Sequence, residues 1–384
     1  MYDFILFENN SSLENHYVDL GNLAYLLKNG GYKVAFADIF KEKILVKEKG
    51  IDFVQLPVKY PTFLLAKKKH NPVTTFIYRF LSSLYLIYAL FALRDKAKGF
   101  YIGSLTLGTP ILWLLFLSSK KEYYIWGLRC HMLELWQHSR SLYGFYSFCL
   151  YKLIRKKKNL KIIVSHHIIK EEFISRLGIE NSRLIARPER FNRGVSNNIR
   201  RTTRDTLTLL TIGTLRRSKH VEFVLDSLRK INIPNIKYII AGRCKNDVNY
   251  EALLTKKMKG LSNVTRLNRF IPDEEYNELM NECDFLVLCD EQEPSCATNG
   301  TMTEALLNGI PIIAPNYNPF KYEIEKYGVG LIYEYNDINS MVEVINMAAS
   351  MDCSNLRDNL YKYRILFSQD VVTKSLIEQI KQNQ

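Results

Sequence analysis

Residues 284–315 read DFLVLCDEQEPSCATNGTMTEALLNGIPIIAP. The apolar run at 285–288 has the length and composition of a strand covered on both faces, and the run at 310–314 repeats it. Between them lies a polar, Gly-containing loop, then a short helical stretch from Met302 to Leu307 that ends at Asn308-Gly309. Two non-alternating strands joined by a helix form the unit of a parallel sheet coated with helices, which predicts an α/β fold.

Working outward, the same logic repeats through the second half. "LTLLTIG" (207–213), "IKYIIAG" (236–242) and "NVTRLN" (263–268) read as strands, with helices at 221–230, 251–259 and 274–282 between them. Every strand of this half is expected to be an almost continuous apolar run. The first half opens with a strand, "YDFILFEN", a polar loop from Asn9 to Asn15, a helix with Val18, Leu20, Leu23, Leu26 and Leu27 at helical spacing, and a Gly30-Gly31 stop. "KVAFADI", "KGFYIGS", "EYYIWG" and "KIIVSH" follow as further strands. The polar, basic stretch 192–205 lacks hydrophobic periodicity and is placed as a linker between domains at 1–191 and 206–363. A terminal helix within 364–384 is expected to return toward the first domain.

The loop before Met302 carries the clearest chemistry. Backbone N–H groups of Asn299, Gly300 and Thr301 at a helix start, aided by the helix dipole, are a physical recipe for holding phosphate. Glu304, in the first turn, can accept hydrogen bonds from a ribose diol. Many helices begin with such residues merely as caps, so the local pattern alone defines a generic anion site.

The string "TNGTMTEALLNGIPIIAP" resembles the donor-site signature of retaining, family-4-type (group 1) glycosyltransferases with the GT-B fold. Three neighbouring units are similar to that family in the same order: "LTLLTIGTLRRSKHVEFVLDSL", "YIIAGRCKNDVNYEALLTKK" and "NVTRLNRFIPDEEYNELMNECDFLVL". The likeness runs from Leu207 to Asp337 and extends more weakly to "KIIVSHHIIKEEFISRLGI". The resemblance implies two doubly wound, Rossmann-like domains facing each other across a cleft, and transfer of a hexose-type sugar from a nucleoside diphosphate to an acceptor hydroxyl with retention. It casts Lys219 as the lysine that neutralises the donor diphosphate, the Asn299 to Thr301 amides as its cradle and Glu304 as the ribose ligand, with Phe270-Ile271 at the nucleobase.

Two departures stand out. The family carries Arg after the glycine read here as Gly213, whereas this chain has Thr214, so Arg216 or Arg217 is the substitute candidate. The family's paired glutamates lie eight positions apart, and counting back from Glu304 reaches Cys296, not an acid. Glu293 is the nearby carboxylate that could serve the sugar ring. In the first half, His131 after "YYIWG" is the candidate histidine of the catalytic face, with Arg129 and Glu134 beside it, and His166-His167 follows a strand end. Asn10 and Ser11, in the loop after the first strand, are acceptor-side candidates, although a turn and helix cap reads equally well. No HxxxH or DxD pattern occurs, and this fold holds diphosphate with Lys, Arg and amides, so no essential metal is expected.

Composition bounds the biology. The 384 residues are 47% hydrophobic and 24% charged, ordinary for two soluble α/β domains. Seven scattered cysteines without CxxC pairs argue for reduced thiols, and the N-terminus lacks the basic start of a secretory signal, so a cytoplasmic protein is expected. The net charge of +14 divides unevenly: residues 1–200 hold 31 Lys+Arg against 15 Asp+Glu, and residues 201–384 hold 22 against 24. A half at +16 suggests a polyanionic neighbour. Phe76 to Leu93 is apolar but interrupted by Arg79 and Ser82-Ser83, marginal for spanning and better suited to a buried or interfacial helix flanked by lysines and arginines. The resulting expectation is peripheral contact with the inner face of the cell membrane, a lipid-linked saccharide acceptor and a place in surface polysaccharide assembly. Rival readings are an epimerase or phosphorylase of the same fold, or a basic nucleic-acid-binding protein; no helix-turn-helix, zinc-finger or RNA-recognition motif supports the last.

Overall fold

The computed structural model describes residues 1–7, 14–37, 50–56, 72–103, 112–126, 129–193, 206–244 and 247–382. The chain divides into two compact units. Domain 1 comprises Met1–Arg190 with Pro294–Ala297 and Gln369–Gln384; domain 2 comprises Phe191–Glu293 and Thr298–Ser368. Of the expected linker, only Asn192 and Arg193 are among the described residues; Asn192 donates its N–H to the Phe367 carbonyl at 2.8 Å.

Domain 1 is built on β1 (Tyr2–Phe7), β2 (Val34–Ala37), β3 (Asp52–Val54), β4 (Ala97–Ile102), β5 (Glu122–Trp126), β6 (Leu160–Val164) and β7 (Leu184–Ala186). All pairs are parallel, in the order β3-β2-β1-β4-β5-β6-β7. Its helices are α1 (Glu14–Asn29), α2 (Pro72–Ala92), α3 (Cys130–His138), α4 (Leu142–Lys156) and α5 (His167–Leu177). Ile5, Leu6, Phe7, Tyr124 and Ile125 are wholly buried, as strands covered on both faces require. Tyr101 and Tyr124 stack at 4.3 Å with Phe4 edge-on to both.

Domain 2 repeats the plan with β8 (Leu207–Ile212), β9 (Ile236–Ala241), β10 (Val264–Leu267), β11 (Phe285–Val287), β12 (Ile312–Pro315) and β13 (Gly330–Tyr333), all parallel in the order β10-β9-β8-β11-β12-β13. Helices α6 (Val221–Leu228), α7 (Val248–Met258), α8 (Asp273–Glu282), α9 (Gly300–Leu307), α10 (Phe320–Tyr327), α11 (Ile338–Ser350) and α12 (Ser354–Leu366) cover both faces. One core lies under α6, α7 and α11, the other under α8, α9, α10 and α12. The uniformly apolar strands expected of this half hold except at β10. This is an edge strand whose residues are only partly covered, and its Arg266 donates to the Gly242 carbonyl at 2.6 Å and to Glu251 at 2.8 Å.

The last helix, α13 (Gln369–Gln382), belongs to domain 1. Its Gln379 side-chain amide both accepts from and donates to the Ala186 backbone, at 2.9 Å each way. It thereby mimics a strand partner beside β7. At Gly30 a Cβ would stand 2.3 Å from Ile377 Cδ1, so that glycine permits α1 and α13 to touch.

Of the sequence 76–93 all but Leu93 lies in α2, which buries Tyr85, Leu86, Ala89 and Leu90 and exposes Ile77, Leu84 and Phe91. Among the described residues no helix is long and apolar enough to cross a membrane.

Candidate active site

In both sheets the chain reverses its direction of travel across the sheet at the first strand, and in domain 2 this places β8 beside β11. Ligands of doubly wound sheets bind beyond the carboxyl ends of the strands at that switch. Gly213, directly after β8, has φ +112°, a conformation open to glycine and strained for other residues. A Cβ there would face Lys219 Nζ at 3.7 Å and Thr301 Oγ1 at 4.0 Å. Three residues distant in sequence thus converge on one corner. Gly242, after β9, has φ +120°, and a Cβ on it would strike the Gly213 carbonyl oxygen at 1.9 Å, so the two glycines let adjacent strand ends touch.

The loop after β8 winds through a 3-10 turn, Arg217–Lys219, before α6. Lys219 points its ammonium back toward the strand end, 3.4 Å from the Ile212 carbonyl. Its own carbonyl accepts from Cys289 Sγ at 2.7 Å, and the Ser218 carbonyl accepts the Glu291 N–H at 2.6 Å, so the loops following β8 and β11 are laced together. Burial, reinforced by Asp290, holds the Cys289 thiol well above its ordinary pKa against the opposing charge of Lys219.

Helix α9 begins two residues before the Met302 start that its apolar pattern suggests. Asn299 is the N-cap, and Gly300 and Thr301 are the first two helical residues. The Asn299 carbonyl oxygen of the side chain accepts the Met302 N–H at 3.0 Å, while its NH2 group donates to Asp290 at 3.2 Å. Asp290 therefore fixes which way the amide faces, since a carboxylate accepts only from the NH2 end. The main-chain carbonyl of Asp290 accepts the Tyr317 hydroxyl, and burial raises that phenol far above its usual pKa. Gly300 and Thr301 carry N–H groups that an α-helix leaves without intrahelical acceptors. Lys219 and the positive end of the helix dipole stand at the same corner, an arrangement whose chemistry suits an anion. One turn on, the Glu304 carboxylate accepts the Tyr276 hydroxyl of α8 at 2.9 Å, which orients it.

The other donor-side candidates are more dispersed. Ile271 is buried in the core beside α8, whereas Phe270 is 69% exposed. Arg216 is exposed and its carbonyl accepts the Lys219 N–H at 2.8 Å. Arg217 ion-pairs with Asp247 at 2.9 Å and lies over the Tyr250 ring, so its guanidinium is engaged at the start of α7. Glu293 is exposed at the end of the loop and contributes to the field on Tyr317.

Within domain 1, Arg129 is the N-cap residue of α3, and His131 Nδ1 lies 2.7 Å from Ser295 Oγ. Both oxygens of Glu172 accept the Cys296 N–H at 3.1 Å, and Arg176 donates to the Pro294 carbonyl at 3.3 Å. Arg176 also joins Glu172 to the buried Glu134. The position where the family likeness calls for an acid thus holds a cysteine whose backbone is gripped by a carboxylate from α5. His166 caps α5, its Nδ1 accepting the Ile168 N–H at 3.2 Å. Asn10 and Ser11 lie outside the described residues.

Sequence reading missed Gly242, Tyr276, Asp290 and Glu172. "IIAG" repeats the strand-then-glycine form of "LTIG" and could have pointed to Gly242; no local pattern singles out the other three. A cavity of about 110 Å³ at the opposite, amino end of β11 and β12 is lined by Asp284, Gly309, Arg357 and Arg364. It is smaller than an ordinary small-molecule site of about 300 Å³ or more and is remote from the switch point.

Two Rossmann-like domains, each built on a parallel sheet, are the GT-B fold. A family model described as glycosyl transferases group 1 matches residues 196–366, and this match supports a glycosyltransferase of that group. Solved structures agree on the fold at low identity. A glycosyltransferase from Rickettsia africae superposes with a TM-score of 0.66 at 13% identity, covering 100% of this chain and 98% of its own. Anabaena Alr3699/HepE in complex with UDP gives 0.68 at 12% identity, covering 99% and 100%. WaaG, a glycosyltransferase involved in lipopolysaccharide biosynthesis, gives 0.61 at 16% identity, covering 99% and 98%. A search of curated proteins gives no significant match.

Proposed function

We propose that this chain moves a hexose-type sugar from a nucleoside-diphosphate sugar to an acceptor hydroxyl with retention of anomeric configuration. The carrying observation is the convergence of Gly213, Lys219 and Thr301 at the start of α9, with Glu304 oriented one turn away. In this reading Lys219 and the Gly300 and Thr301 N–H groups bind the diphosphate. Its charge grows as the sugar departs, so donors already fixed in place stabilise the transition state more than the ground state. Glu304 takes the ribose diol, and the backbone at Phe270-Ile271 meets the base. Arg216 is the additional phosphate contact. His131 and Glu293 act at the sugar, and Arg129 with the Asn10-Ser11 loop serves the acceptor. No resident metal or other cofactor is required. The family match supports glycosyl transfer, and the similar Anabaena protein was crystallised with UDP and with UDP-glucose.

The acceptor in this proposal is a lipid-linked saccharide at the inner face of the cell membrane, in polysaccharide assembly. The +16 charge of residues 1–200 supports that placement. A thermal-shift screen of nucleoside diphosphates and their sugars tests the donor reading. A bound nucleotide at about 100 times its dissociation constant stabilises by about 2.7 kcal/mol. Absence of a shift with every nucleotide sinks the proposal.

A further inference from the structure

Helix α4 presents two unlike faces. Gly144, Ser147, Leu150 and Ile154 point inward and are buried. The opposite stripe runs Leu142, Phe145, Phe148, Lys152, Arg155, all exposed and at helical spacing. Leu142 and Phe145 are 82% and 67% exposed, which leaves large apolar groups in water at the very start of the helix. Trp136 of α3 adds to them, edge-on to Phe148 with ring centroids 5.4 Å apart.

The fold holds this stripe outward by specific means. A Cβ on Gly144 would lie 2.0 Å from the Ser139 carbonyl oxygen, so the first turn of α4 is pressed against the end of α3. Ser147 Oγ donates to the Met132 carbonyl at 2.7 Å. At the other end, the buried Arg183 donates to the Ile154, Lys157 and Leu160 carbonyls at 2.6, 3.0 and 2.9 Å, tying off the last turn. The exposed aromatic end is therefore a rigid ridge.

Charge identifies what the ridge meets. Between Arg140 and Lys158 the chain carries six Lys or Arg residues and no Asp or Glu. Apolar side chains occupy the first half of the stripe, and basic ones the second half and the residues just beyond. Lys152 Nζ sits 5.4 Å over the Phe148 ring, so the cationic stem lies along the aromatic surface. A helix with an apolar stripe, an aromatic belt and basic flanks suits the boundary between acyl chains and anionic headgroups. A neighbouring 3-10 turn, Leu112–Phe116, packs against both α2 and α4 and exposes Leu115 and Phe116. On α2, Ile77, Leu84 and Phe91 recur every seven residues, with Arg94 over Phe91 at 5.2 Å. The apolar exposure thus continues across adjacent elements.

We infer that the α4 ridge is a membrane-docking surface: Leu142 and Phe145 enter the interface of an anionic bilayer while Lys152, Arg155 and Lys156 engage lipid phosphates. This inference rests on the membrane half of the proposal above and is independent of its donor half. A nucleic acid would use the basic end but gives no reason for a solvent-facing Leu142.

Sedimentation with phosphatidylcholine vesicles containing about 30 mol% phosphatidylglycerol, at about 0.05 M salt, provides the test. The full-length protein is expected to partition onto these vesicles and not onto pure phosphatidylcholine. The Leu142→Ser/Phe145→Ser double variant is expected to bind about tenfold less. Lys152→Gln/Lys156→Gln is expected to lose most of the preference for the anionic lipid. Circular dichroism verifies that the variants fold, and the nucleotide thermal shift, read on the same samples, is expected to stay unchanged. Wild-type protein that ignores the vesicles, or a double variant that binds as well as wild type, overturns the inference. So does retention of single-stranded RNA in place of vesicles. A change from dimer to monomer in the double variant, with vesicle binding intact, assigns the ridge to a second copy of the chain and likewise overturns it.

Discussion

The two domains share a strand order, yet they handle charge in opposite ways. Domain 2 gathers the groups of its proposed anion site from a half of the chain that is close to neutral, with 22 Lys+Arg against 24 Asp+Glu over residues 201–384. It uses one lysine, two glycines and the N–H groups of a helix start, all within a corner so tight that a methyl group would not fit at Gly242. Domain 1 lies in the half that carries the excess of positive charge and spreads much of it over exposed surface, as on α4. Anion recognition as proposed for the first would depend on placement, and for the second on number. Segment charge locates the surface that meets a polyanion; it is blind to a pocket made from peptide dipoles.

That contrast can be broken by substitution. The largest effect is expected from Gly242→Ala, whose new methyl meets a backbone oxygen at 1.9 Å at a φ of +120°. Backbone strain and overpacking together should cost about 3 kcal/mol, read as a lowered urea midpoint with the nucleotide thermal shift abolished. An unchanged midpoint would mean that the corner is not close-packed. Next comes Lys219→Met, which should weaken UDP binding by titration calorimetry by about 1.5–3 kcal/mol, the range for a hydrogen bond to a charged group. The matched loss of charge from the basic domain, Lys156→Met, should leave UDP affinity within about twofold. Equal effects of the two lysines would erase the distinction between placement and number.

Tyr276→Phe and Glu304→Gln should each lower affinity by about 1 kcal/mol, and the double variant by less than the sum, because the hydroxyl acts through the carboxylate. Strict additivity would separate the two residues. The smallest effect is expected from Asn299→Ala. Loss of the N-cap should destabilise the fold by about 1 kcal/mol, and Asn299→Asp should retain the cap while placing a second carboxylate beside Asp290. Measured by nucleotide titration, the Asp variant should bind the anion more weakly than the Ala variant.

Much of this was legible from the sequence. Strands such as β1, β8 and β9 are long apolar runs ended by polar residues or glycine, and buried parallel strands have no other way to look. β3 and β7 were not legible, since neither sits in a longer apolar run as the equally short β11 does. The candidate site was half legible: Asn299, Gly300 and Thr301 are local in sequence, and the helix-start pattern announces them. What orients them is not local. Asp290 acts across the loop, and Tyr276 reaches Glu304 from another helix. Cys296 marks the limit most clearly, because its backbone partner Glu172 is 124 positions away and no spacing rule connects them.

The four residues Pro294–Ala297 belong to domain 1, although the chain on either side of them belongs to domain 2. The polypeptide visits the first domain, leaves, comes back for four residues, leaves again and returns for α13. One cut at 192–205 therefore cannot yield two whole pieces. A fragment beginning at residue 206 would carry Ser295 and Cys296 without His131 and Glu172, and α13 without the Ala186 backbone that Gln379 pairs with. Dissection of this protein calls for two separately expressed fragments recombined in solution. Recovery of nucleotide binding on mixing would then report how much the second domain depends on where those four residues are held.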